Sequence, residues 1–500
     1  MSTVYVFTHP HPAYEGGLYL QIVEQIRTGD YRLPSRIPYY TDVGIPFAYP
    51  PLMFYLTALV IDVTGVDPVW LMSVLPGMVI LAYLVPYYLL ASELLETPRR
   101  AGFATLVFGV APPVLQWHLS SGGIVRAPAM LLTLVGTYTG LKLFRTGERR
   151  WLVSSTVLWG LVLLSHPVYT TFFGWTYILF FFVFDRTRAG VIRGAAVAVG
   201  GFVLASPWWT SVISRHGIDV FLAASNSRST LGGGIHRLVT QFVWPLQSVD
   251  AILPFYLFAF AGTVYAAHRR RWVLPIWLVS VSYLIGKHRF IFVSGSMLAA
   301  IFVFEVVFPL ARQVGEALDR ERIVVGGVTV LLVVGSTGVG VAYAGSAIDT
   351  NHQTSTTMPK TVGVADEEAM TWVRSQTDPS ASFVVVGDAA EWFPYYSKRT
   401  IHVSPWGTEW TDRFDREVDL FLSMSTCHSL YCLEPKIRAA QGTPQYLYVP
   451  TREYTVRGQE QSPRGVVIDA LLRSEEYDLR YANRGVMIFE RSPTASSLPP

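Results

Sequence analysis

Glu15 closes the run His9-Pro10-His11-Pro12-Ala13-Tyr14-Glu15, a carboxylate set among imidazoles and a phenol. Partial desolvation raises the pKa of such an acid toward working pH, where it can take a proton from a hydroxyl. The bland reading is a solvated loop acid. His11 and Tyr14 are candidates to touch a substrate beside it. Asp42 is the alternative acid, and Asp30 reads as a cap or turn. Lys287, His288 and Arg289 form a compact basic cluster. Such a cluster suits a phosphate, or the snorkelling of long side chains to headgroups. Arg126 follows Gly122-Gly123 and could pair with a phosphate or with Glu15. His166, just before Pro167, could bond a phosphate or a hydroxyl, or be a satisfied structural histidine. Trp117-His118 and Trp208-Trp209 could stack on a ring or belong to an interfacial aromatic belt. Arg215 and His216 follow the second pair and could grip phosphate.

The elements that position these groups are mostly apolar. The chain is 51% hydrophobic and 15% charged, with mean hydropathy +0.34. Soluble globular domains are rarely so apolar. Apolar stretches near span length run at 69–92, 101–119, 126–144, 151–167, 169–184, 190–210, 251–267, 272–286, 290–311 and 323–345. The expected fold class is therefore mostly α, a polytopic transmembrane bundle of about ten spans with a small C-terminal extracytoplasmic α/β domain.

Alternate turns carry arginine groups: Arg99/Arg100, Arg145/Arg149/Arg150, Arg186/Arg188/Arg193, Arg269/Arg270/Arg271 and Arg312/Arg320/Arg322. Basic residues in short loops mark the cytoplasmic side. The intervening turns then face outward and bring Glu15, Arg126, His166, His288 and Arg289 to one face. Glu305 falls near the inner end of its span and is expected to bond within the bundle or reach cytoplasmic water. Residues 1–345 hold 24 basic and 16 acidic side chains, while 346–500 hold 15 and 20. The positive excess lies in cytoplasmic loops, so nucleic-acid binding has little support. Arginine outnumbers lysine by 34 to 5, a composition that hints at a GC-rich prokaryotic genome. Met1–Phe7 lacks the basic start and apolar core of a signal peptide. The threading then implies an initial transmembrane helix absent from this chain.

Along the chain, 1–68 reads as an outer loop with interfacial helices. Leu18, Ile22, Val23 and Ile26 give an amphipathic helix over Gly16–Arg27. Residues 50–65 read as a short apolar helix in the outer interface. The bundle occupies 69–345. Its longest loop, 211–250, carries Arg228, the run Gly232–Gly234, His236 and Arg237, with glycines as hinges and no phosphate-loop signature. A linker over 346–360 leads to an α/β domain over 361–492 and a disordered tail over 493–500. Asp366–Ser375 and Val466–Leu472 read as helices; Phe383–Val386, Leu447–Val449 and Gly485–Phe489 read as strands. Asp388 reads as a turn residue. Cys427 and Cys432 could form a bridge outside the cell or remain two buried thiols. Only His428 lies beside them, so a zinc site lacks ligands.

Taken in order, these features resemble the GT-C glycosyltransferases, in the branch of protein O-mannosyltransferases and aminoarabinose transferases. The matching stretches are His11-Pro12-Ala13-Tyr14-Glu15, Tyr49-Pro50-Pro51-Leu52, Ser206-Pro207-Trp208-Trp209 and Lys287-His288-Arg289-Phe290. The resemblance covers nearly the whole chain. It implies transfer of a sugar from a polyprenyl-phosphate donor to an extracytoplasmic glycan, lipid or protein acceptor. It also implies an acid of the first outer loop at the catalytic centre, here Glu15. The loop that often carries a second acid reads SSGGIVRAPA, with Arg126 and no carboxylate. No cofactor is certain from this pattern, and a divalent metal stays possible but has no support there. The residues alone also allow a transporter or lipid flippase, or a non-catalytic membrane protein with an outer partner-binding domain.

Overall fold

The computed structural model describes residues 1–227, 234–236, 239, 253–345, 362–440, 442 and 444–492. Arg228, Gly232, Gly233 and Arg237 of the long loop, the 346–360 linker and the 493–500 tail lie outside the described residues. The chain opens with α1 (Ser2–Thr8), α2 (Gly16–Thr28), the paired strands β1 (Arg36–Ile37) and β2 (Ile45–Pro46), and α3 (Leu52–Thr64). Next come α4 (Pro68–Leu95), α5 (Pro98–Val110), α6 (Pro112–Leu119), α7 (Gly123–Thr146), α8 (Arg149–Leu163), α9 (Pro167–Phe184), α10 (Arg188–Leu204), α11 (Ser206–His216) and α12 (Asp219–Ser227). Then follow α13 (Leu253–His268), α14 (Val273–Leu284), α15 (His288–Phe302), α16 (Phe308–Ala317) and α17 (Glu321–Gly345).

The helix starts follow from local chemistry. Asp67, Thr97 and Thr187 each accept a backbone N–H of the first turn, and proline stands at the first positions of α4, α5, α6 and α9. Proline has no N–H to leave unpaired there, and its φ suits the helix. Proline also breaks two stretches expected to be single. Residues 101–119 divide into α5 and α6 at Ala111, before Pro112-Pro113. Residues 190–210 divide into α10 and α11, bent by 57° at Ser206-Pro207. α15 runs through a π-helical turn, Val303–Val307, into α16.

Among the described residues, five helices are long and apolar enough to cross a membrane: α4, α7, α9, α15 with α16, and α17. The bent pair α10–α11 makes six. The described helices on other apolar stretches are shorter, with 15 residues in α8, 16 in α13 and 12 in α14.

One of the two N-terminal expectations changes. α2 has more than one apolar face: Gly16 to Val23 are all buried, as is Ile26. Both sides are covered, one by α3 and one by the C-terminal region, which is why it is no one-sided interfacial helix. α3 does expose Leu56, Leu59, Val60 and Val63, a free apolar face of the kind an interfacial helix presents.

The C-terminal region holds α18 (Val364–Gln376), β3 (Ser382–Val385), α19 (Ala389–Ser397), β4 (Thr400–Ile401), α20 (Phe414–Ser425), α21 (Leu430–Ala439), β5 (Tyr446–Pro450), β6 (Tyr454–Val456), β7 (Gln459–Gln461), α22 (Gly465–Arg473), β8 (Tyr477–Ala482) and β9 (Val486–Arg491). The expected helices and strands are all present here. The main sheet has the order β4-β3-β5-β9-β8. β3 pairs parallel with β4 and β5, and β9 runs antiparallel to β5 and β8. Cys427 and Cys432 form a disulfide. The sheet region shares one apolar core with α2, α3 and the loop between them: Tyr19, Ile37 and Phe54 belong to the same cluster as Trp392, Phe393 and Leu447. That shared core clamps the Glu15 turn between the bundle and the sheet region.

Candidate active site

Glu15 caps α2 with φ 70°, after Tyr14 at φ 65°. Two successive non-glycine residues in the left-handed region store strain that neighbours must hold. The neighbours are close because glycines admit them. A Cβ on Gly16 would fall 2.3 Å from the Trp392 ring, and one on Gly17 would fall 2.3 Å from the Glu391 carbonyl oxygen. Gly122 does the same for Arg126, whose guanidinium passes where a Cβ would stand.

Arg126, at the start of α7, makes a buried ion pair with Glu15 through one terminal nitrogen. Its other terminal nitrogen, Nη1, is buried with no partner. Tyr19, one turn along α2, donates to the Glu15 carboxylate at 2.7 Å and stands 3.1 Å from the Tyr49 hydroxyl. Arg289, near the start of α15, comes from the other side. Trp117 lies under both guanidiniums, 4.9 Å from Arg126 and 5.9 Å from Arg289. Arg289 also stacks on Tyr169 at 5.3 Å. It is buried, and its Nε has no partner. Two buried guanidiniums with unsatisfied N–H groups are costly unless an anion completes them.

Glu15 lines two cavities, and among the described residues it is the one residue common to both linings. The larger, 550 Å³, is walled by Tyr49, His166, Trp208, Phe221 and Trp410. Its surface is mostly apolar. The smaller, 170 Å³, is walled by Tyr14, Trp117, Asp388, Glu391 and Arg457. Tyr14 stacks on Trp117 at 5.0 Å, and burial pushes its phenol up to about 12, so it stays neutral. Asp388 accepts the backbone N–H groups of Arg457 and Gly458, both at 2.7 Å, and burial raises its pKa. Glu391 is buried, with Oε1 lacking a partner, and burial pushes its carboxyl up to about 8.

Glu15, Tyr14, His166 and Trp208 thus line the two cavities, and Arg126 and Arg289 are buried behind them, against Glu15 and Trp117. His166 caps α9, its Nδ1 accepting the Val168 N–H at 3.3 Å, with its ring edge-on to Tyr49 and Tyr169. The remaining candidates lie elsewhere. Lys287 is exposed, and the His288 ring turns to the Tyr256 hydroxyl. His11 bonds Tyr396 at 3.0 Å and meets Glu367 at 3.3 Å, fastening the N-terminal segment to α19 and α18. Asp42 is exposed. Arg215 donates to the carbonyls of Leu33 and Pro34 at 2.7 and 3.2 Å, a clamp on backbone. Glu305 pairs with Arg271 at 2.5 Å and Arg100 at 2.7 Å, at the opposite end of its helix from Arg289. Tyr19, Tyr49, Tyr169 and Glu391 escape the sequence reading. Tyr19 has a usable signal, since it stands four residues after Glu15 on one helix face.

Among the described residues, no three His, Cys, Asp or Glu side chains converge as metal ligands. The Glu15 carboxylate is engaged by Arg126 and Tyr19.

The fold is similar to that of the oligosaccharyltransferase AglB from Archaeoglobus fulgidus in complex with an inhibitory peptide and a dolichol-phosphate. The identity is 14%, 90% of this chain and 68% of that chain are covered, and the TM-score is 0.57. It is also similar to ArnT from Cupriavidus metallidurans in the apo state, at 13% identity, 98% and 96% coverage and a TM-score of 0.57. No family model matches the chain, and no curated protein matches it. These likenesses show that the chain shares its fold with both proteins.

Proposed function

We propose that this protein is a membrane glycosyltransferase that moves a sugar from a polyprenyl-phosphate carrier to a hydroxyl of a glycan, lipid or protein on the extracytoplasmic side of a prokaryotic membrane. The observation that carries the reading is the pair of buried, incompletely bonded guanidiniums stacked on Trp117, one of them paired with Glu15, which itself lines an apolar cavity. The prenyl chain packs in the 550 Å³ cavity. The phosphate lies against Arg126 Nη1 and Arg289 Nε. Arg126 can hold the phosphate and Glu15 together, because a different nitrogen serves each.

Glu15 takes the proton of the acceptor hydroxyl as its oxygen bonds to the anomeric carbon. The bond from that carbon to the phosphate oxygen breaks, and polyprenyl phosphate departs with the electron pair. The guanidiniums stabilise the charge that develops on it. A phosphate leaves readily, so no second acid needs to protonate it, unlike in ordinary glycoside hydrolysis. The likeness to AglB, whose solved complex contains dolichol-phosphate, supports a lipid-phosphate donor.

The outward placement of the site rests on the arginine pattern. α7 carries Arg126 near its start and Arg145 in its last turn, which puts them about 28 Å apart at 1.5 Å per residue. The basic turns therefore lie at the far end of the bundle. Radiolabelled sugar transfer from polyprenyl-phosphate donors, in membranes containing this protein, tests the reading. Glu15→Gln should abolish transfer and leave membrane insertion intact; full activity in that variant removes Glu15 from the mechanism.

A further inference from the structure

A 470 Å³ cavity lies between α2, α3, α18 and α19, with Pro68 at its edge. Val23, Glu24 and Arg27 of α2 help to wall it, whereas Leu18, Tyr19 and Ile22 wall the larger cavity beside Glu15. With 3.6 residues per turn these two sets point to opposite sides of the helix. The cavity is therefore separate from the proposed transfer site, and the transfer chemistry makes no use of it.

Its polar lining carries both signs. Lys398 donates to Gln21 Oε1 at 3.0 Å, pairs with Glu24 and stands 4.7 Å from the centre of the Tyr395 ring. Arg27 pairs with Asp62 at 2.6 Å, and the Tyr31 hydroxyl donates to the same carboxylate at 2.6 Å. Arg374 is exposed and makes no ion pair among the described residues. Three cations thus face two carboxylates. Both ion pairs are partly exposed. Such pairs add little to stability, so their cations can be shared with an incoming anion.

The neighbouring helices fix the depth of the cavity. Pro68 is the first residue of α4, whose 28 residues are long and apolar enough to cross a membrane. The end of a span stands at the level of the lipid headgroups. Trp70, exposed in the first turn of α4, is of the type that collects at that level. Leu56, Leu59, Val60 and Val63 of α3 are exposed, and their spacing of three and four residues puts them on one face. Leu59 stands one turn before Asp62, so this apolar face starts at the rim of the cavity.

We propose that the cavity holds the headgroup of an anionic glycerophospholipid, with its phosphate on Arg374 and Lys398 and its acyl chains over the exposed face of α3. A headgroup with one net negative charge matches the one cation in excess. Headgroup hydroxyls, as in phosphatidylglycerol, donate to Glu24 and Asp62, since ionised carboxylates only accept. A soluble phosphate meets the same cations but leaves the apolar side chains of α3 in water. The bound lipid ties α18 and α19 to the membrane surface beside α3. This assignment does not depend on the glycosyl-transfer reading.

The test uses the full chain in micelles of an uncharged detergent. It is titrated with phosphatidylglycerol or phosphatidylcholine of the same acyl chains and read by native mass spectrometry. The first phosphatidylglycerol should bind about tenfold more tightly than phosphatidylcholine, or better. Arg374→Glu should remove most of that preference, and Arg374→Lys should keep it. Arg270→Glu, a reversal in a basic turn at the far end of the bundle, should leave it unchanged. Arg374 is exposed, so its variants should keep the wild-type Tm. A phosphatidylglycerol with a photoreactive diazirine on one acyl chain should crosslink to α3, a reading that needs no variant. Equal binding of the two lipids overturns the proposal, as does a preference that survives Arg374→Glu or falls as far in Arg270→Glu. Crosslinks confined to other helices, or dimers joined through α3, also overturn it. Displacement of the lipid by an equal concentration of glycerol 1-phosphate assigns the cavity to a soluble phosphate instead.

Discussion

Glu15 is the proposed base of the transfer and half of a buried ion pair. Glu15→Gln removes the charge but leaves a side chain that bonds Arg126. Glu15→Ala leaves the guanidinium buried with no counter-charge, a change that costs about 3–5 kcal/mol. Thermal unfolding of the purified protein should therefore separate the variants, with Ala well below Gln, although both lose transfer. Arg289→Met should lower kcat/KM about a hundredfold or more, the scale of one lost donor to developing charge. It should leave the Glu15–Arg126 pair in place. Glu391 also affects stability with pH. Its folded pKa, about 8, lies above its usual 4.5, so the folded state binds the extra proton. The stability it contributes is complete below 4.5 and is lost as pH rises through about 8. The Tm of wild type should fall relative to Glu391→Gln between pH 6 and 9 (both about, from that window). Glu15 is legible in the sequence because its histidines and tyrosine are immediate neighbours. Glu391 is not, because what makes it special is burial beside a turn far away in the chain.

At the scale of elements, α2 and α19 meet through Gly16 and Gly17. Gly17→Ala would drive a methyl into the backbone of Glu391 and Trp392, with no flexible side chain to yield. Overpacking of this kind costs about 1–3 kcal/mol, read as a lower Tm, and it should also slow transfer by displacing the Glu15 turn. Substitution of Gly65, which meets nothing within 4 Å, lacks that steric effect and has only its positive φ to strain. The sequence marks where α5 gives way to α6 and α10 to α11, since proline in a helix interior removes a hydrogen bond and clashes with the preceding turn. The stretch patterns, read alone, run straight through both breaks. The π-helical turn at Val303–Val307 has no sequence mark. It surrounds Glu305, whose two arginine partners come from the start of α5 and the turn between α13 and α14.

At the scale of the whole molecule, the threading decides whether sugar transfer has a place to occur. Both native cysteines are joined in one disulfide, so single introduced thiols report cleanly. A membrane-impermeant thiol reagent on intact cells should modify Asp42→Cys, on the Glu15 side. It should spare Arg270→Cys, beside the Arg271–Glu305 pair at the far end. Labelling of Arg270→Cys alone would invert the topology and remove the extracytoplasmic site.

Composition and the spacing of apolar stretches, arginines and prolines determined the mostly helical class, the starts of the helices and the C-terminal strands, because each of these depends on neighbours within a few turns of chain. The sequence also named Glu15, Arg126 and Arg289, through their types and their placement at the ends of apolar stretches. Only the tertiary structure turned His288 away, sent Arg215 to the Leu33 and Pro34 carbonyls, stacked both guanidiniums on Trp117 and set Glu391 in one cavity wall with Glu15. Those outcomes depend on which helix faces pack together, and a one-dimensional pattern specifies that an element has a face to bury without specifying its partner.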